Sequence, residues 1–167
     1  MEEKNEKNKN QIIIRRAELR DLDDILKLAT QLFQDEKENY GKDWDLKWIY
    51  GQGKEIIKGD LTYENSFIAV AEINGDVFAF LRGSLYWDGW MSWKKGKGAE
   101  LWDFVIREGL RNQGIGSKLI NMFFEWCEEK SVDYILLNVT VGNSKGIEFY
   151  KKFGFEEHQV IMEKKLR

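Results

Sequence analysis

The stretch from residue 101 to residue 127 constrains the fold most. It opens with an apolar run at 101–106, passes through a polar turn that carries Gly114 and Gly116, and continues with apolar residues at three- and four-residue spacing. These apolar positions are Ile115, Leu119, Met122, Phe123, Trp126 and Cys127. The pattern predicts a strand that leads through a glycine turn into the N-terminus of an amphipathic helix. Unpaired backbone N–H groups and the positive end of the helix dipole would meet there, which favours an anion such as a phosphate group.

Length and composition are typical of a globular protein of one domain. The chain has 167 residues, of which 43% are hydrophobic and 33% are charged, enough to bury one core. The formal net charge of −3 gives no electrostatic reason to bind nucleic acid. One Cys excludes an intramolecular disulfide, and one His with one Cys cannot form a conventional zinc site, so we expect no metal. No apolar run approaches the roughly 18 residues that a membrane helix needs, so we expect no membrane partner and a cytoplasmic location.

Hydrophobic periodicity divides the chain into alternating elements. Residues 1–10 are polar and aperiodic and are predicted to be a mobile tail, and residues 11–167 to be the domain. Strands are predicted at 12–14, 66–73, 77–87, 101–106, 134–141 and 155–166, and helices near 22–33, 45–58, 115–127 and 143–152. Asp21 is the expected N-cap of the first helix, and Asn74-Gly75 the expected hairpin turn. The order β-α-α-β-β-β-α-β-α-β predicts an α/β (α+β) domain with a mixed central sheet of about six strands, flanked by about four helices.

Two spaced motifs resemble those of the GNAT (Gcn5-related) N-acetyltransferase family. The segment from Arg111 to Gly116 fits the family's phosphate turn, [Q/R]-x-x-G-x-[G/A]. A second pattern, N-x-x-[A/G]-x-x-[F/L]-Y-x-x-x-G-F, is matched by Asn143, Gly146, Phe149, Tyr150, Gly154 and Phe155. The resemblance covers about residues 12–166, and it implies that residues 11–167 form an N-acetyltransferase domain.

The resemblance implies an acetyl-CoA-dependent enzyme that transfers acetyl directly from the CoA thioester to a primary amine. The acceptor would be a small cationic amine, or an amine of a peptide or protein. The coenzyme's pyrophosphate would lie on the phosphate turn, and its pantetheine arm would pair with the backbone of the fourth strand. The implied coenzyme-binding residues are Phe104, Val105, Ile106, Arg111, Asn112, Gln113, Gly114, Ile115, Gly116, Ser117, Asn143, Gly146 and Tyr150. A backbone N–H of Val105 or Ile106 could also hold the carbonyl oxygen as negative charge develops.

The same resemblance nominates three catalytic residues. Tyr150 matches the family tyrosine that donates a proton to the leaving thiolate, and the alternative is that it only packs. Glu100 is in register with the catalytic glutamate of the histone acetyltransferase branch, and Asp103 with an acidic substrate-site residue of the polyamine branch. Strand alternation puts these two acids on opposite faces unless a bulge intervenes. The general base is therefore Glu100, Asp103 or water.

Acidic and aromatic residues cluster where the resemblance places the acceptor. The acids are Asp35, Glu36, Glu38, Asp43 and Asp45, and the aromatic residues are Trp44, Trp48, Tyr86, Trp87, Trp90 and Trp93. The combination favours a cationic amine through ion pairing and cation–π contact. The alternative is a solvated helix end with a hydrophobic patch, which could support a homodimer. For the whole chain, the alternative function is a non-catalytic acyl-CoA-binding or regulatory module of the same fold.

Overall fold

The fold is built on one mixed sheet. The computed structural model describes residues 11–86, 96–164 and 166. The strands are β1 Ile12–Arg16, β2 Ser66–Ile73, β3 Asp76–Leu85, β4 Gly98–Ile106 and β5 Tyr134–Leu137. Their order in the sheet is β1-β2-β3-β4-β5. Neighbouring strands from β1 to β4 are antiparallel, and β5 is parallel to β4. The predicted α/β class and mixed sheet are confirmed.

Four helical segments flank this sheet in the described part of the chain. They are α1 Leu22–Tyr40, a bent segment made of α2 Leu46–Trp48 and α3 Lys54–Asp60 joined by a wide turn at Ile49–Gly53, α4 Ile115–Glu129, and α5 Ser144–Lys151. The number of helices matches the prediction. Asp21 takes the predicted N-cap position of α1, but its side chain makes no bond to the helix. Its carboxylate accepts instead from the Glu18 backbone N–H at 2.8 Å and pairs with Arg15 at 2.7 Å, so it braces the turn before α1.

Each face of the sheet carries its own core. On one face, α4 buries Leu119 and Phe123, and the Phe123 ring lies 5.5 Å from that of Phe67 in β2. On the other face, α1 buries Ile25 against Phe80 of β3. The period-2 pattern of the strands and the 3.6-residue pattern of the helices therefore converge on three layers, helix–sheet–helix.

The hairpin between β2 and β3 forms as predicted. Asn74 and Gly75 have φ of 53° and 84°, the left-handed pair that a type I′ turn requires and that Asn-Gly adopts readily. The sheet therefore gains its central β2–β3 pairing through a turn encoded in two residues.

The predicted last strand at 155–166 is wrong, so the described residues form five strands instead of six. Residues 155–164 have no strand partner, and Val160, Ile161 and Met162 are all exposed. A strand needs a neighbouring edge to pair with, and β5 is four residues long. That strand is also shorter than the predicted 134–141, because its pairing with β4 ends at Leu137. The predicted tail at 1–10 and residue 87 at the end of the third predicted strand lie outside the described residues.

We predict that the space at Gly83 in β3 is essential for packing. A Cβ there would lie 2.6 Å from the Phe123 ring and 2.7 Å from the Glu100 carbonyl oxygen. Gly83→Ala should therefore reduce the free energy of unfolding by about 1–3 kcal/mol, because the overpacked core must shift.

Gly59→Ala is the matched control. Gly59 lies in α3 with no atom within 4 Å of the added Cβ, so alanine should stabilise the helix by up to about 1 kcal/mol. Thermal unfolding measures both variants, and a stable Gly83→Ala protein would contradict the packing argument.

Candidate functional site

A fork opens between β4 and β5. The two strands pair from Gly98 opposite Tyr134 to Leu101 opposite Leu137, and no further. Of the next β4 residues, 102–106, those from Asp103 to Ile106 remain paired with β3 on one side only. Their other backbone edge has no strand partner among the described residues, so its N–H and C=O groups can bond to an extended ligand.

A β-bulge at Trp102 determines which side chains line this fork. Arg82 lies opposite Asp103 and Gly83 opposite Leu101, which leaves Trp102 as the extra residue of β4. The bulge reverses the alternation, so that Asp103 lies on the same face as Glu100, the face covered by α1. The bulge that would bring Glu100 and Asp103 to the same face of β4 is therefore present, and both acids line one surface.

Glu100 is buried and held by uncharged donors. It is 3% exposed, the Asn138 side-chain amide donates to its Oε1 at 3.0 Å, and the neighbouring Tyr86 hydroxyl stabilises the charged form of the same carboxylate. Burial raises the pKa of Glu100, and these two neighbours and the more distant Arg82 charge oppose that rise. The result is a carboxylate with a raised pKa at the base of the fork.

Asp103 has a charged partner instead. Its Oδ2 lies 2.6 Å from Arg82 Nε, and the same guanidinium lies 2.6 Å from Asp60 Oδ2. Asp60 also accepts from the Ser66 hydroxyl at 2.7 Å. Arg82 is therefore shared between two carboxylates, and Asp103 belongs to an ion-pair network that joins α3, β3 and β4.

The phosphate turn has the backbone of an anion site. Asn112 and Gly114 have φ of 64° and 75°, and the first bond of α4 runs from the Lys118 N–H to the Gly114 carbonyl at 3.2 Å. The N–H groups of residues 115–117 therefore lack an intrahelical partner. A Cβ at Gly114 would meet no atom within 4 Å, so the turn is open to a ligand. The donor set fits a phosphate group.

Arg111 connects this turn to its surroundings. Its Nε donates to the Ile106 carbonyl at 2.9 Å, and its Nη2 lies 3.8 Å from Asp35 of α1. The guanidinium thus lies between the end of β4 and the middle of α1. Gln113 extends its amide towards the Gly109 carbonyl at 3.5 Å.

The second motif builds the short helix that carries Tyr150. The Asn143 side chain accepts from the Gly146 N–H at 2.9 Å, which caps α5. A Cβ at Gly146 would lie 2.6 Å from the Asn143 amide nitrogen, so a side chain there would require the capping side chain of Asn143 to shift. Both residues have a structural role in α5, and their predicted contact with a coenzyme stays a prediction.

Tyr150 is half-buried beside two carboxylates. Burial raises its pKa, and the negative charges of Asp103 and Glu36 raise it further, so the hydroxyl stays protonated. It makes no hydrogen bond with any residue that the structure describes. The ring packs edge-on against Phe149 and Phe155, at 5.5 and 5.8 Å between centroids. The Tyr150 hydroxyl is therefore a hydrogen-bond donor without a protein acceptor among the described residues.

The three predicted strand residues differ in their environment. Phe104 packs on Phe149 at 5.6 Å, Val105 is buried on the α1 face, and Ile106 accepts from Arg111 through its carbonyl. All three follow the point where β5 leaves β4. Which of their N–H groups would hold a ligand stays a prediction.

The acidic and aromatic cluster is only partly a single surface. Trp44 stacks on Phe33 of α1 at 4.5 Å and donates from its indole nitrogen to Glu36 at 2.7 Å, and Trp48 lies 6.3 Å from Phe33. Tyr86 is instead beside Glu100. Three of the predicted aromatic residues, Trp87, Trp90 and Trp93, lie outside the described residues.

Asn138, Arg82 and Trp102 are site residues that the sequence reasoning missed. Arg82 left a signal, because it is a charged residue inside the otherwise apolar run of β3. Asn138 is the first polar residue after the apolar strand β5. Trp102 has no such signal in the sequence, because the position of a β-bulge depends on the pairing with the neighbouring strand.

Within residues 11–86, 96–164 and 166, no group of three or more His, Cys, Asp or Glu side chains is placed to hold a metal ion. No helix in these ranges is both long and apolar enough to cross a membrane.

Known proteins resemble this chain in sequence and in fold. Residues 22–155 match the model of the acetyltransferase (GNAT) family. An uncharacterised N-acetyltransferase of Methanocaldococcus jannaschii is 32% identical over 148 residues, which are 89% of this chain, and the chain spans only 62% of that relative's length. An N-alpha-acetyltransferase of Sulfurisphaera tokodaii is 29% identical over 153 residues, 89% of this chain and 82% of the relative.

A solved structure shows the same fold. It is the aminoglycoside N-acetyltransferase AAC(6')-Iy in complex with CoA, with a TM-score of 0.67 and 19% identity, covering 95% of this chain and 97% of that one.

The raised pKa of Glu100 predicts a pH-dependent stability. The ordinary pKa of this group is 4.5 and the folded value is higher, so the stability linked to its protonated form is present below pH 4.5 and is lost as the pH rises through the folded value. Glu100→Gln removes the charge and keeps the shape. The Tm of this variant minus that of the wild type should therefore increase between about pH 4 and pH 8.

Glu157→Gln provides a comparison of opposite sign. Lys151 lowers the pKa of Glu157, so this substitution removes a stabilisation that is present at high pH, and the effect should be small because the pair is exposed. A Tm difference for Glu100→Gln that does not change with pH would show that Glu100 does not titrate abnormally.

Proposed function

Because the chain belongs to the acetyltransferase (GNAT) family, we propose that it is an acetyl-CoA-dependent N-acetyltransferase whose acceptor is a primary amine. The family and the relatives named as N-acetyltransferases support an acyltransferase. The CoA complex of the structural neighbour supports acetyl-CoA as the donor. The acetyl group passes directly to the amine, without an acyl-enzyme intermediate.

The observation that carries this proposal is the order of features along the free edge of β4. Glu100 lies at the base of the fork, residues 102–106 offer an unpaired backbone edge, and the phosphate turn follows directly. Five residues of strand span roughly 17 Å. An extended ligand with its anionic group on the turn would therefore bring its other end to Glu100.

The chain's own residues divide the work of binding. When bound, acetyl-CoA supplies an activated acetyl group as a thioester. The N–H groups of residues 112–117 hold its pyrophosphate, and the free edge of β4 holds its pantetheine arm. An N–H of Val105 or Ile106 faces the developing negative charge on the carbonyl oxygen.

The partners of the two acids favour Glu100 as the general base. The Asp103 carboxylate is bound to the Arg82 guanidinium at 2.6 Å, whereas Glu100 contacts only neutral donors among the residues that the structure describes. A carboxylate with a raised pKa is also a stronger base towards an ammonium group. In this proposal Asp103 organises the site through Arg82, and Glu100 accepts the proton.

An α-amino group is the acceptor that we favour. Its pKa of about 7.7–8.0 is closer to that of a carboxylate than the value of about 10.4 for a lysine side chain. The name of the Sulfurisphaera tokodaii relative, an N-alpha-acetyltransferase, supports the same class. The acceptor is therefore a peptide or protein with a free N-terminus, ahead of a small cationic amine.

Binding of acetyl-CoA is tested first at the phosphate turn. Acetyl-CoA should raise the Tm of the wild-type protein, because it binds the folded state, and Gly114→Asp should abolish that rise by adding a negative charge where the pyrophosphate lies. Gly75→Asp is the matched control, since Gly75 also has positive φ and open space around its Cβ. An equal ligand-induced shift in both variants would overturn the assignment of the turn.

Tyr150→Phe separates an enzyme from an acyl-CoA-binding module. The substitution keeps the ring and its packing, so acetyl-CoA affinity should be retained, while kcat should fall roughly tenfold to a few hundredfold because a general acid is lost. Acetyl transfer to a panel of peptides with free N-termini, followed by thiol detection, gives kcat. Tyr63→Phe, at an exposed tyrosine, is the control.

Full activity of Tyr150→Phe would remove this hydroxyl from the mechanism. A wild-type protein that binds acetyl-CoA but acetylates no amine would identify the binding module instead.

A further inference from the structure

We propose that Asn138 and Tyr86 are positioning residues that hold the Glu100 carboxylate at the base of the fork and aim it at the acceptor amine. The inference rests on the proposed function, because it assumes that Glu100 is the base. Neither residue belongs to the two sequence motifs. Both are identified only by where the sheet places them.

Asn138 holds the carboxylate from the side of β5. It is the first residue after Leu137, where the pairing of β5 with β4 ends. Its amide therefore crosses the mouth of the fork, and it donates to Glu100 Oε1 at 3.0 Å. Leu136 lies opposite Glu100, so Asn138, two residues further along, lies on the same face of the sheet and within reach of the carboxylate.

Tyr86 holds the carboxylate from the side of β3. It follows the last residue of β3, and its backbone N–H donates to the Gly98 carbonyl at 2.7 Å, which fixes it to the start of β4. Its hydroxyl lies beside Glu100, and burial together with that carboxylate raises the pKa of Tyr86. The hydroxyl therefore remains a donor. Glu100 is thus held from both neighbouring strands.

The two donors are uncharged, and this determines what Glu100 can do. A carboxylate offers about four lone-pair sites, so two hydrogen bonds leave room for an ammonium N–H. When that N–H bond breaks, its electron pair stays on the nitrogen and the proton forms an O–H bond with Glu100, which later returns it to water. An arginine in place of these neutral donors would form an ion pair with the carboxylate, as Arg82 does with Asp103.

The surrounding ionisable groups are few in the described chain. Arg82 from β3 lowers the pKa of Glu100 through its charge, and Asp103 shares the face of β4. Tyr134 from β5 acts on Tyr86. Tyr86 and Asn138 lower the pKa of Glu100 more than the distant Arg82 charge does, so their removal should have the larger effect.

The test uses the full-length chain and begins with a titration that needs no activity. The Glu100 carboxyl signal is followed by carbon NMR in protein labelled at glutamate, and it is assigned by its absence in Glu100→Gln. Asn138→Ala and Tyr86→Phe should each move the midpoint upward by about one pH unit, because each removes a hydrogen bond to the charged form. Asn65→Ala and Tyr63→Phe are the controls, since these two exposed residues bond to each other away from Glu100.

The kinetic arm measures kcat/KM for the acceptor against pH. In both variants the acidic limb should move upward by the same amount as the titration, while the acetyl-CoA-induced rise in Tm is kept. Asn138→Asp, which adds a charge beside Glu100, should move the limb further in the same direction. A variant that loses activity equally at all pH values, or leaves the midpoint unchanged, overturns the proposal.

Failure of the proposed function is distinguishable from failure of this inference. If the wild-type protein transfers no acetyl group, the proposed function is wrong. The NMR midpoints still show whether Asn138 and Tyr86 hold the Glu100 carboxylate. If Tyr86→Phe fails to fold, Asn138→Ala decides the question alone, because Asn138 is an exposed residue outside the strand.

Discussion

The site depends on one extra residue in β4. Without the bulge at Trp102, strand alternation would turn Asp103 towards the α4 face, where Phe123 and its neighbours form an apolar core. An unpaired carboxylate buried there would cost several kcal/mol. The bulge instead places both acids on the α1 face, within reach of hydrogen-bonding partners. Gly83 opposite the bulge makes this possible, because the Phe123 ring occupies the space of a side chain.

The two acids then differ because of their partners. Arg82 binds Asp103 and Asp60 together, and removing one carboxylate would leave a buried guanidinium short of a partner, a change that costs about 3–5 kcal/mol in other proteins. This network ties α3 to the sheet and fixes the surface beside the fork. Glu100 lies three residues earlier and is held by neutral groups. One strand thus carries a carboxylate that is bound to a charged partner and a carboxylate that is held by neutral groups.

Features that depend on adjacent residues could be predicted from the sequence, whereas contacts between distant strands could not. The turn at 111–116, the start of α4 at Ile115 and the Asn74-Gly75 hairpin follow from residues adjacent in the chain, and they were predicted closely. The Asn138–Glu100 and Arg82–Asp60 contacts join residues far apart in sequence, so no local pattern indicates them. The prediction of a strand at 155–166 was wrong for the same reason. Apolar residues favour a strand, but a strand forms only where it can pair with the free edge of another.

The environment of Glu100 also bears on which amine the proposed enzyme accepts. A carboxylate with the ordinary pKa of 4.5 is poorly matched to an ammonium group of pKa about 8, and burial narrows that difference in pKa. The neutral neighbours Asn138 and Tyr86 stabilise the ionised form and oppose part of the rise in the pKa of Glu100. For a lysine side chain the gap widens by about 2.5 pH units, or roughly 3 kcal/mol. This difference is a physical reason for the site to favour α-amino groups.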